Sequence, residues 1–136
     1  MMNSEQRGVA EKCLAGAESG AMDFPSIVGA LIAAGFESYE VDFRREEAVY
    51  YLPSGDSVTL AIHRDANGIA ATFDQDAIRA AIREAQANAP DYSYPGFCAK
   101  VKRAGCVGYI VSFPGRRAVY LGRTAEAHVE HFPGAD

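Results

Sequence analysis

His128, Glu130 and His131 form the densest group of chemically capable side chains in the sequence, inside the run HVEH near the C-terminus. On a strand, His128 and Glu130 share a face and His131 points the other way. The two histidines therefore do not clamp one metal, and neither a metal nor a cofactor is expected. His128 with Glu130 suits a pair of ligands, or an acid–base pair in which the carboxylate orients the imidazole. A solvated cross-strand pair is the plainer reading and the favoured one. Tyr120, Arg123 and Asp42 are the side chains that would complete a small-ligand or acid–base site there, in a groove between two halves of the chain.

Other chemistry is thinly represented. Cys13, Cys98 and Cys106 are odd in number, with no CxxC and no histidine at ligand spacing. They read as small apolar residues in a reducing compartment rather than as a disulfide or zinc framework. No GxGxxG, GK[ST], GxSxG or HExxH occurs, so nucleotide-binding, hydrolase-elbow and zinc-protease readings have no support. Tyr39 and Tyr109 lie on apolar stripes and read as core. Core packing is also favoured for Tyr50 and Tyr120, with a shared groove as the alternative.

The elements that must position these residues follow from local signals. Residues 5–18 read as a helix with Ser4 as N-cap and Val9, Cys13 and Leu14 on one face. Thr72 and Gln75 suggest a capping box for a helix carrying Ile78, Ile82 and Ala85, which ends before Pro90. A shorter helix follows each of these, capped by Asp23 or Ser93, with Pro25 or Pro95 in the first turn. Gly35 and Gly105 stop them in the left-handed conformation, and Phe36 and Cys106 close on Leu31 and Val101. Tyr39, Val41 and Phe43 then alternate with polar residues as a strand. A second strand covers 47–52, reached in the later half through Pro114-Gly115, a type II turn signal. Third strands are expected at 57–63 and 126–132, and Asn67-Gly68 marks a turn between the halves.

The halves match each other. A shift of 70 residues aligns nine identities in the 27 positions from 24 to 50, among them Pro25 with Pro95, Gly35 with Gly105 and Tyr39 with Tyr109. Chance at this composition gives about two. The pattern predicts an α+β protein built as an internal duplication of an ααβββ unit, over about 4–68 and 72–133, within one domain spanning 1–136. Antiparallel strands with helices on one face and pseudo-twofold symmetry are expected. One six-stranded sheet and two three-stranded sheets both fit.

Charge divides the chain unevenly. The 136 residues carry a net charge of −5, but residues 1–70 hold 5 basic and 11 acidic side chains while 71–136 hold 8 and 7. Between 92 and 125 there is no acid, and Lys100, Lys102, Arg103, Arg116, Arg117 and Arg123 are present. In the repeat alignment Glu46 and Glu47 fall on Arg116 and Arg117, so equivalent hairpins carry opposite charge. That suits association within the chain or between chains, although solvated surface charge is the simpler account of each residue. Overall acidity opposes a general nucleic-acid coat, and leaves only a local patch at 100–123. The polar start MMNSEQRG and the lack of long apolar runs predict a soluble cytoplasmic protein without a membrane partner.

The string FPSIVGALIAAGFESYEVDF, and later AGCVGYIV, GRRAVYLGR and HVEHFP, resemble the two halves of the YdfO/YbcV-like family of small, often prophage-encoded bacterial proteins. That resemblance covers nearly the whole chain. It implies a duplicated α+β fold and an accessory role, and carries no chemistry with it. The function expected first is therefore a non-enzymatic protein-interaction module that binds a protein partner or, as a homodimer, itself. A small-ligand binder or small enzyme comes second, and nucleic-acid binding through 100–123 third.

Overall fold

The computed structural model describes residues 2–133. Helix α1 spans Ser4–Ser19 and opens on a capping box between Asn3 and Gln6. Ser4 is thus the first helical residue and not the cap. Asn3 has a glutamine three residues on to reciprocate, whereas Ser4 would face Arg7. Helix α2, Phe24–Ala33, is capped by Asp23, with Pro25 in the first turn. Gly35 closes it at φ 99°, and Phe36 N–H donates to the Leu31 carbonyl at 3.0 Å, the Schellman arrangement.

The later helices repeat the scheme with one change. Helix α3, Gln75–Ala87, is capped by Asp74 rather than by Thr72. Asp74 N–H is tied to the Ala104 carbonyl at 2.8 Å, which fixes where the chain turns into the helix. Helix α4, Tyr94–Arg103, takes Ser93 as cap and carries Lys100, Lys102 and Arg103 in its last turn, where cations meet the negative end of the helix dipole.

Three strands follow each helix pair: β1 (Ser38–Asp42), β2 (Glu47–Tyr51) and β3 (Ser57–Ala61), then β4 (Cys106–Ser112), β5 (Arg117–Gly122) and β6 (Ala127–His131). They form one six-stranded antiparallel sheet in the order β3-β2-β1-β4-β5-β6, so β1 and β4 meet at its centre. The hairpin at Pro114-Gly115 is not type II, because the residue with positive φ is Arg116 at 51°, matched by Glu46 at 57°. Each is a left-handed residue at its hairpin, and each turns its carbonyl to the segment after the edge strand, accepting from Phe132 N–H and Ile62 N–H respectively.

Period two divides the sheet into two faces. Tyr39, Val41, Ala48, Tyr50, Tyr109, Val111, Ala118 and Tyr120 point inward and are buried with Leu31, Ile78, Phe97 and Val101 of the helices in one core. Tyr39 stacks on Tyr50 with centroids 5.3 Å apart, and Tyr109 lies 5.1 Å from Tyr120. Pairs of this kind add about 0.5–1.5 kcal/mol each beyond area burial. Among the described residues no helix covers the other face, whose side chains are half-buried or exposed apart from Gly108 and, at the β4 bulge, Val107.

Candidate functional site

The register places His128 opposite Tyr120 and Glu130 opposite Ala118 on the inner face. His128 is only 5% exposed, so it is not solvated as the sequence suggested, while Glu130 keeps 28% of its side chain in solvent. Its Nδ1 lies 2.9 Å from Gln75 Nε2 and its Nε2 lies 3.0 Å from Glu130 Oε1. With the Gln75 amide donating to Nδ1, the ring proton sits on Nε2 and is donated to Glu130, a tautomer assigned from that pattern. Gln75, in the first turn of α3, is thus the element contact that orients the imidazole.

The remaining members of that candidate set are spread out. Tyr120 is buried, and burial pushes its phenol well above the ordinary range. Arg123 lies just past β5 and donates to the Ile69 carbonyl at 2.9 Å. Asp42 ends β1 on the opposite face of the sheet, where Oδ1 accepts from Arg44 N–H at 2.9 Å and Arg45 N–H at 3.1 Å. Tyr50 and Tyr120 are core residues. Two surface grooves of 340 Å³ and 170 Å³ lie between α3 and α4 and over the β1–β4 seam, and His128, Glu130 and Tyr120 line neither. Among the described residues no group of three or more His, Cys, Asp or Glu is placed to hold a metal.

A second polar cluster went unread in the sequence. His63, just beyond β3, places its backbone N–H 2.7 Å and its Nδ1 3.0 Å from Glu18 Oε2 at the end of α1. Its Nε2 is 3.8 Å from Asp65, and Asp65 accepts from Lys102 Nζ at 2.6 Å. Lys102 is almost fully buried, and its bond holds Asp65 below the usual carboxylate range. The chain from Glu18 through His63 and Asp65 to Lys102 fastens the connection between β3 and α3 onto helices of both halves. Lys102 was legible: Phe97, Cys98 and Val101 define a buried helical stripe that also includes position 102. Glu18 was not, being 45 residues from its partner.

The basic stretch does not form one free surface. Lys102 is paired with Asp65, Lys100 with Glu84, and Arg123 with a carbonyl. The two charged hairpins project from opposite ends of the sheet, because Asp42 lies beside Gly108 and Ser38 beside Ser112. Glu47 is bonded to Arg45 at 2.6 Å and Glu46 lies 3.5 Å from Arg64. Arg116 and Arg117 are exposed, with Arg117 Nε reaching the Gly115 carbonyl at 3.1 Å.

The open face carries the largest apolar exposure on the strands: Ile110 at 38% and Val129 at 43%, in one row with Val119 and Val49. A strand side chain normally finds cover on one face only, but this row on the uncovered face, apolar except for Glu40 between Val49 and Ile110, has no part in this core.

These features define an α+β protein whose single antiparallel sheet is clad by helices on one side and open on the other. Over residues 12–129 the sequence matches the family described as Protein of unknown function (DUF1398). The chain belongs to that family. A comparison with curated proteins gives no match, and no described helix is long and apolar enough to cross a membrane.

Proposed function

We propose that the protein is a non-enzymatic protein-interaction module of the cytoplasm, built from a duplicated ααβββ unit over about 4–68 and 72–133. The observation that carries this reading is the open sheet face, with its exposed apolar row between oppositely charged hairpins. Contiguous apolar surface rimmed by charge marks association sites on soluble proteins. The nine repeat identities and the recurrence of two helices followed by three strands support the duplication. The sequence strings of the YdfO/YbcV-like type support a prophage-type accessory role.

The test is sedimentation equilibrium between roughly 50 and 500 mM salt, where screening weakens surface charge pairs. Wild type is compared with Arg116→Glu/Arg117→Glu. Association should fall with salt and with the charge reversal. If both leave self-association and partner binding unchanged, the hairpin charges have no part in binding and the reading fails. The small-ligand alternative rests on buried His128 and half-buried Glu130, 3.0 Å apart. It calls for a ligand that reaches His128 past Gln75.

A further inference from the structure

We infer that the open face of the sheet seats a second copy of this chain, face to face about a twofold axis. The inference rests on the interaction reading above and names its partner. Cross-strand register lays the face out as a grid. Its middle row runs Val49, Glu40, Ile110, Val119, Val129 across β2, β1, β4, β5 and β6. Four of those five side chains are apolar, and Leu121 extends the patch beside Gly108.

Charge on this face is segregated by corner. Asp42 pairs with Glu47 across β1 and β2, and Glu40 stands one step behind them. Diagonally opposite, Arg117 on β5 pairs with His131 on β6. Like charges directly opposite each other weaken a sheet, and Arg45 offsets only part of the acidic corner. A face with an acidic corner, a basic corner and an apolar centre is complementary to itself. A twofold axis lying in the interface, through Ile110 and perpendicular to the line joining the two corners, places each acidic corner on the partner's basic one. The apolar rows then cross near Ile110, in the orthogonal mode of sheet packing.

Six strands spaced ~4.8 Å, with five residues rising ~3.3 Å each, give a flat face of roughly 29 by 16 Å. Crossed orthogonally, two such faces overlap over roughly 270 Å² per copy, about 550 Å² together before side-chain relief is counted, below the size of a standard specific interface. The dimer is therefore expected at the weak end, and concentration has to be varied to see it.

The experiment is sedimentation velocity and equilibrium from roughly 1 to 300 µM, a span chosen for a weak interface. Wild type should move from 14.6 kDa toward twice that mass. Ile110→Lys/Val129→Lys should keep its circular dichroism and raise the dissociation constant at least tenfold, since both side chains are exposed and leave the core intact. Arg117→Glu should weaken the dimer, and adding Glu47→Arg should restore it. A wild type that stays monomeric throughout overturns the inference, and so does a dimer that persists in Ile110→Lys/Val129→Lys. Association that survives that variant but still responds to salt and to Arg116→Glu/Arg117→Glu overturns the face-to-face seat alone. The broader interaction reading then stands on its hairpins.

Discussion

Lys102 sits where the stripe of α4 calls for an apolar side chain, and its cation is held by Asp65 at 2.6 Å. Removing one partner of a fully buried pair costs about 3–5 kcal/mol. Asp65 keeps 21% of its side chain in solvent, so Lys102→Met should cost less, about 2 kcal/mol in urea unfolding. The pair also sets a pH dependence. Asp65 has a folded-state pKa below the ordinary carboxylate value, chiefly through the bond from Lys102. Such a carboxylate contributes stability above the unfolded value and loses it as pH falls through the folded one. Wild type should therefore lose stability below about pH 5, with a shallower loss in Asp65→Asn. An equal acid slope in both would remove Asp65 as its source. The thiols allow a second test. Burial pushes Cys98 up to about 12 and Cys106 to about 11, and raises Cys13 as well. The thiolate is the reactive species, so none of the three should label with iodoacetamide at pH 8 in the folded protein, and all three should label in urea. Rapid native labelling at Cys98 would show that α4 opens far more readily than its packing implies.

At the level of elements, the glycines after α2 and α4 have the same backbone conformation and different surroundings. Gly35 has φ 99° with only the Gln6 amide nearby, while a Cβ on Gly105, at φ 92°, would lie 2.2 Å from the Thr72 carbonyl oxygen. Gly35→Ala should cost about 1 kcal/mol for the left-handed backbone. Gly105→Ala should cost about 3 kcal/mol or more, because the segment leading into α3 must also shift. Similar midpoints for the two variants in urea would mean that this segment moves freely. The contrast marks what sequence can reveal. Helix stops, the Asp23 and Ser93 caps and the alternation of Tyr39, Val41 and Phe43 depend on neighbours within a few residues, and were readable. Thr72-x-x-Gln75 fits a capping box equally well, but the Ala104 carbonyl captures Asp74 N–H from 30 residues away and moves the helix start. The same limit applied at the site. His128 with Glu130 was visible as an i, i+2 pair, whereas Gln75, which completes it from 53 residues away, had no local sign. Glu18 with His63 was hidden for the same reason.

Across the whole molecule, the joint between β1 and β4 decides how the halves depend on each other. Those strands pair over five positions, from Ser38 with Ser112 to Asp42 with Gly108. Gly108 is required there, since a Cβ would lie 2.3 Å from the Val41 carbonyl oxygen. Behind the joint, Tyr39 of the first half contacts Tyr109 and Phe113 of the second, with centroids 6.4 and 6.2 Å away. The buried residues of both halves belong to one cluster. The Glu18–His63–Asp65–Lys102 chain spans the same division from the helix side. Either proposed repeat alone would expose the long edge of β1 or β4 together with half of this aromatic core. A unit of about 65 residues buries too little surface to offset that exposure. Intact protein should therefore unfold in one transition, with circular dichroism and tyrosine fluorescence giving the same midpoint. Separate fragments covering 1–70 and 71–136 should each lack cooperative unfolding. Mixed at equal concentration, they should regain it, because all ten elements are then present and only the connection near residue 70 is cut. Independent folding of either fragment would show that the repeats are domains in their own right, and that the β1–β4 joint is an interface rather than part of a shared core.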